Sequence, residues 1–166
     1  CADSVSPLLV YDAWVKIESL HGSRQIPLQE FLIKPYQTKI QSDEIITEVL
    51  LPWLPEGYQG DFYKLGRRRA VAISRITLSV LGKVQNNTLK DIRIASGAVT
   101  PIGIRFFKLE GAVKGEKLSS QLYQDMAIEM GKHISAITGI RWSTPYKLPV
   151  VQQTVYQLLE KIFPFA

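Results

Sequence analysis

The sequence predicts an α+β fold, and three observations carry that prediction. Between residues 13 and 95 several segments alternate apolar and polar side chains with the period of two that a half-buried strand requires. Over the last third, apolar residues recur every three or four positions, as on one face of a helix. The stretch PWLPEGYQG, residues 52–60, carries two prolines and two glycines and divides the strand region. A domain boundary is expected near Pro52–Gly60.

Ser4 to Asp12 reads as a short apolar helix or turn. Ala13–Leu20 follows as a strand, with Val15 and Ile17 alternating against Trp14, Lys16 and Glu18. His21-Gly22-Ser23 is a turn, and Arg24–Pro27 returns as the second arm of a hairpin. Leu28–Lys34 is a short amphipathic segment with Leu28, Phe31 and Leu32 on one helical face, stopped by Pro35. Glu44–Leu51 is a strand rich in isoleucine, valine and leucine. Beyond the linker, Asp61–Gly66 is a strand. Ile76–Val84 is another, with Ile76, Leu78, Val80 and Val84 on a face covered from one side. Asn86-Asn87 turns the chain, because asparagine tolerates positive φ. Leu89–Ala95 then returns with Ile92 and Ile94 inward, so short connections predict an antiparallel meander. Ser119-Ser120 can cap a helix carrying Leu122, Met126, Met130 and Ile134. A last helix presents Val151, Val155, Leu158, Leu159 and Ile162, with Pro149 in its first turn.

The 166 residues, 46% hydrophobic and 21% charged, are apolar enough to bury a core and too polar to span a membrane. The apolar run Pro7–Val15 is broken by Asp12 and too short for a transmembrane helix, so the expected location is the cytoplasm. The opening Cys-Ala-Asp, without an initiator methionine, reads as the start of a fragment. A lone cysteine, Cys1, excludes an internal disulfide, a zinc ribbon and an iron–sulfur cage within the chain. The formal charge of +5 is mostly interspersed. Its one like-charge cluster, Arg67-Arg68-Arg69, is narrow for a nucleic-acid face and reads as solvated or paired with acids or a partner protein.

No familiar catalytic signature is visible. His21 and His133 lie far apart, neither has a second ligand at metal spacing, and both read as surface or capping residues. There is no G-x-S-x-G elbow, Walker loop or G-x-G-x-x-G. Gly97 is expected to supply backbone freedom at a strand exit. Glu44 and Glu48 fall on one face of their strand as a solvated edge, and Trp53 and Trp142 read as packing aromatics.

Several longer segments are more specific. They are CADSVSPLLVYDA at the start, GSRQIPLQEFLIKPYQT (Gly22–Thr38), DEIITEVLLP (Asp43–Pro52), FYKLGRRRAVAIS (Phe62–Ser74), LKDIRIASGAVTPIGIR and RWSTPYK. In this order they resemble the FAD-binding (medium) subunit of the molybdenum hydroxylases, the xanthine dehydrogenase and aerobic carbon monoxide dehydrogenase family. The resemblance implies that residues 1–56 are the C-terminal part of the FAD-binding α+β domain. Residues 57–166 are then a C-terminal α+β domain, a three-stranded antiparallel sheet with helices packed on one face. It also implies that glycine-rich turns gripping the cofactor pyrophosphate lie in an N-terminal FAD subdomain outside this chain, and that the chain alone is inactive.

The same resemblance implies three cofactor-binding residues and no catalytic or metal-binding ones. Lys64 matches a lysine near the flavin, where an ammonium stabilises negative charge on the ring; an exposed strand lysine is the plain alternative. Asp3 matches the aspartate after the second glycine-rich turn, an acceptor for cofactor hydroxyls or simply a helix cap. Ile46 matches an aliphatic position against the flavin or adenine, with core packing as its rival. Leu65–Arg75 is implied to lie beside the flavin, and Lys147 stands where many relatives have arginine, losing a bidentate fork.

The function implied is that of an FAD-dependent oxidoreductase subunit. It passes electrons from iron–sulfur clusters through FAD to NAD or another acceptor. The molybdenum cofactor and the iron–sulfur clusters belong to partners, a molybdopterin-binding large subunit and an iron–sulfur small subunit, with no nucleic acid and no membrane involved. Two rivals stand beside it: a cofactor-free docking or assembly module of the same fold, and a basic nucleic-acid-binding domain.

Overall fold

In the computed structural model, which describes residues 3–68 and 72–165, the chain opens on the short helix α1 (Val5–Val10). A hairpin of β1 (Trp14–Ser19) and β2 (Gly22–Pro27) follows, and the alternation in β1 buries Val15 and Ile17. One helical turn, α2 (Leu28–Phe31), sends Leu28 and Phe31 into the core. The expected helical face then breaks off. The chain extends as β3 (Leu32–Lys34), which pairs with β4 (Gln37–Thr38). The β-branched Ile33 and the restriction that Pro35 imposes on Lys34 both favour extended backbone there. β5 (Ile45–Leu50) joins β1 on the side away from β2, completing a sheet of order β2-β1-β5.

The second sheet is an antiparallel meander of β6 (Tyr58–Gly66), β7 (Ser74–Gln85), β8 (Thr88–Gly97) and β9 (Ile104–Arg105). β6 starts inside the expected linker, because Tyr58 pairs with Lys83 and its hydroxyl donates to Asp91 Oδ2 at 2.6 Å. Asn86 and Asn87 both take positive φ, 52° and 53°, as a tight hairpin turn demands. β9 makes this a four-stranded sheet, not three-stranded; its two residues are too few to show a period in sequence. Three helices follow: α3 (Phe107–Val113), α4 (Ser120–Thr138) and α5 (Thr144–Ile162). Ser119 Oγ caps α4, accepting from Leu122 N at 3.1 Å. α5 begins earlier than its apolar stripe suggests: Pro145 takes the first turn, and Pro149 lies inside the helix.

Ile76, Leu78, Val80, Ile92 and Ile94 form one core with Met126, Met130, Ile134, Val151, Val155 and Leu159 from α4 and α5. The opposite sheet face is not left to solvent. Leu81 and Ala95 pack there with Leu9 and Val10 of α1 and with Val15 and Ile17 of β1. Helices therefore cover both faces of the sheet. The reason is side-chain size: Thr77, Ser79, Ala95 and Gly97 are small enough to let α1 approach, and Ser79 Oγ donates to Ser6 Oγ at 3.1 Å in the buried seam. Gly97 makes room for its cross-strand partner and does not serve backbone freedom, since a Cβ on it would come within 2.4 Å of Thr77 Oγ1. The left-handed turn falls to Ala98, at φ 59°.

Candidate cofactor-contact site

Docking of α1 on the sheet carries Asp3 to the end of the β6–β7 ribbon. There Lys64 of β6 stands across from Thr77, and Ser74 pairs with Gly66. Asp3 Oδ2 accepts from Lys64 Nζ at 2.5 Å, and Oδ1 accepts from Ser74 Oγ. The Lys64 bond, and after it the Ser74 bond, hold the Asp3 carboxyl below the usual aspartate range. The Asp3 and Lys64 side chains remain 42% and 34% exposed, so a molecule lying on this end of the sheet can reach both. Two of the three residues singled out in sequence are thus brought together. Ser74 was not among them: it ends the motif that contains Lys64, but nothing local signals that its hydroxyl meets a carboxylate 71 positions away.

Ile46 sits elsewhere. It lies on β5 directly across from Ile17, and β5 packs chiefly along β1. No hydrogen bond or core cluster ties it to Asp3 or Lys64 among the described residues. Val15 and Ile17 are buried while their partners Val49 and Ile46 are 48% and 47% exposed, so the core face of β1 continues onto β5 as an open apolar shelf.

The remaining candidates resolve differently. A register shift between Lys16 and Ile17 breaks the strand period that put Glu44 and Glu48 on one face. Glu48 instead pairs with Lys16 at 2.6 Å. Glu44 takes two bonds from Arg24, at 2.7 and 2.9 Å, and one from Gln41 N–H, which draw its pKa down to about 2. Trp53 and Trp142 are not packing aromatics: they are 96% and 87% exposed, one in the irregular stretch after β5 and the other in the α4–α5 connection. His21 is exposed in its hairpin, while His133 stacks on Phe106 with ring centres 6.4 Å apart. Arg67 and Arg68 are exposed, and Arg69 lies outside the described residues. Among the described residues no three His, Cys, Asp or Glu side chains converge on a metal-sized site.

Comparison with known proteins bears on this geometry. The family model for the CO dehydrogenase flavoprotein C-terminal domain matches residues 61–162. The chain belongs to that family. A second model, the FAD binding domain in molybdopterin dehydrogenase, matches residues 1–54. The Asp3–Lys64–Ser74 cluster therefore joins one residue of the flavin-domain match to two of the flavoprotein C-terminal match. Among relatives, the xanthine dehydrogenase FAD-binding subunit of Escherichia coli O157:H7 is 26% identical over 161 residues, covering 96% of this chain and 55% of its own. The glyceraldehyde dehydrogenase medium chain of Sulfolobus acidocaldarius is 27% identical over 156 residues, covering 93% and 54%. The chain thus spans about half the length of these relatives. The fold matches that of a solved carbon monoxide dehydrogenase from Hydrogenophaga pseudoflava with a TM-score of 0.83 at 21% identity, over 94% of this chain and 54% of that one.

Proposed function

We propose that this chain is part of the FAD-binding electron-transfer subunit of a molybdenum hydroxylase of the xanthine or carbon monoxide dehydrogenase type. Bound FAD would supply the electron relay between iron–sulfur clusters on a partner chain and NAD or another acceptor. The observation that carries this reading is the Asp3–Lys64–Ser74 cluster, formed where the two family-matched segments meet. Asp3 fixes the Lys64 ammonium, and its bond uses one of that group's three N–H donors. Asp3 offsets part of that charge, so Lys64 offers a neighbouring ring held N–H donors more than a bare cation. Ile46 and Val49 offer a separate apolar surface, and Ile46 contributes through it as a wall of the cofactor pocket.

In this reading residues 1–56 are the tail of the FAD-binding domain and residues 57–166 the C-terminal domain, a division supported by the two matched ranges. The partners are the N-terminal FAD subdomain, a molybdopterin-binding large subunit and an iron–sulfur small subunit. Exposed Trp53, Ile140 and Trp142 are apolar enough to meet such partners. Among the described residues no helix is long and apolar enough to cross a membrane. A cytoplasmic location is part of this reading. The test is reconstitution of the chain together with the N-terminal FAD subdomain and FAD, followed by the visible spectrum. Flavin bands near one per chain are expected, with affinity weakened about tenfold by Lys64→Met through loss of a charge-assisted contact. A chain that stays colourless overturns this reading in favour of a cofactor-free docking module of the same fold.

A further inference from the structure

We propose that the cleft between the turn at Ala98–Thr100 and the corner joining α4 to α5 binds a phosphate-type oxyanion. Its volume is about 100 Å³, and Thr100, Ser135, Thr138, Arg141, Ser143 and Lys147 are among its lining residues. Among the described residues no aspartate or glutamate lines it. Lys147 Nζ donates to Ala98 O at 3.1 Å, which holds the ammonium at the cleft. That carbonyl belongs to a non-glycine residue in left-handed backbone, a conformation the turn keeps at some cost. Arg141 is fixed from two sides: its N–H donates to Thr144 Oγ1 at 2.8 Å, and its Nε to Thr138 O at 3.2 Å.

Charge marks this cleft, which gathers Lys147 and Arg141 among its lining residues. Lys16, Arg24, Lys64, Arg93, Arg105 and Lys161 each reach a carboxylate. Among the described residues, the Lys147 ammonium and the Arg141 guanidinium each reach a backbone carbonyl and no carboxylate. Burial, then Arg75 and then Arg141 push the Lys147 pKa down, and no carboxylate offsets them. Like charges gathered this way are unfavourable until an anion enters. A doubly charged oxyanion suits the site better than a carboxylate, because it answers more than one cation and its diverging oxygens can meet hydroxyls as well. Ser143 has such a hydroxyl to offer, since it makes no side-chain capping bond to α5. The cleft does not depend on the flavin reading.

The test is titration calorimetry of the full chain at constant ionic strength, with inorganic phosphate in one arm and ADP in the other. Saturable binding at one site is expected. Lys147→Met and Arg141→Gln should each weaken it about tenfold, the loss of one charge-assisted hydrogen bond. Lys90→Met, at an exposed position of β8 outside both sites, should leave it unchanged. Equal affinities identify free phosphate as the ligand, and tighter binding of ADP identifies a nucleotide phosphate; either supports the site. No saturable binding in either arm overturns it. So does wild-type affinity in Arg141→Gln, an exposed position whose variant keeps the fold by circular dichroism, or loss of binding in Lys90→Met.

Discussion

Replacing Arg105 with methionine should cost about 3 kcal/mol of stability at neutral pH. The Arg105 side chain is 8% exposed and that of its partner Glu110 is 7% exposed. Nε and Nη2 donate to the Glu110 carboxylate at 2.9, 3.1 and 2.9 Å, while Nη1 donates to Asp12. Removing one partner of a buried pair costs about 3–5 kcal/mol. The lower end applies here: Glu110 keeps its bond from Ile94 N–H at 2.8 Å, and the half-exposed Asp12 keeps Arg93 at 2.9 Å. Methionine retains much of the buried aliphatic stem. The dependence on pH has a definite sign. Burial pushes the Glu110 pKa above the ordinary 4.5, and Arg105 pulls it back. Without Arg105 it rises further, so the folded state holds a proton that the unfolded state has released. Stability then falls as pH rises from 4.5 through the folded pKa, and the mutant's deficit is largest at neutral pH and shrinks toward 4.5. Urea unfolding of both proteins at the two pH values measures this, with a melting point about 6–12 °C lower near pH 7. A deficit below about 1 kcal/mol, or one equal at both pH values, would refute the reasoning.

Other outcomes follow from single atoms. Gly97→Ala should lose about 1–3 kcal/mol in a denaturant melt, because its Cβ would press on Thr77 Oγ1 at the α1 seam. Thr77→Val should gain about 1 kcal/mol, since that buried hydroxyl has no hydrogen-bond partner among the described residues. The Glu44 carboxyl should titrate by NMR at about 2 and move toward 4.5 in Arg24→Met. What Glu44 contributes is present above its ordinary value and is lost as pH falls from there toward about 2.

Much of the secondary structure was legible because it is a local matter. The alternation of Val15 and Ile17, the Asn86-Asn87 turn and the Ser119 cap each depend on neighbours a few positions away, and each forms as read. Local reading failed where a distant surface intervened. Thr77 and Ser79 look like the solvent side of a strand, yet they are buried because α1 lies on them. Trp53 and Trp142 look like packing aromatics, yet no described element covers them. β9 is too short for any period, and its pairing rests on Ala95 and Ser96 already being in place.

The order of elements and the ordered family segments were properties of the sequence alone, since patterning, turn chemistry and motif order are written residue by residue. Membership in the flavoprotein family followed from the same information. The union of Asp3 with Lys64 and Ser74, the joining of Asp12 to Arg93 and Arg105, and the cluster of cations around Lys147 needed the folded chain. Each links positions scores of residues apart, and such contacts are set by how whole faces pack.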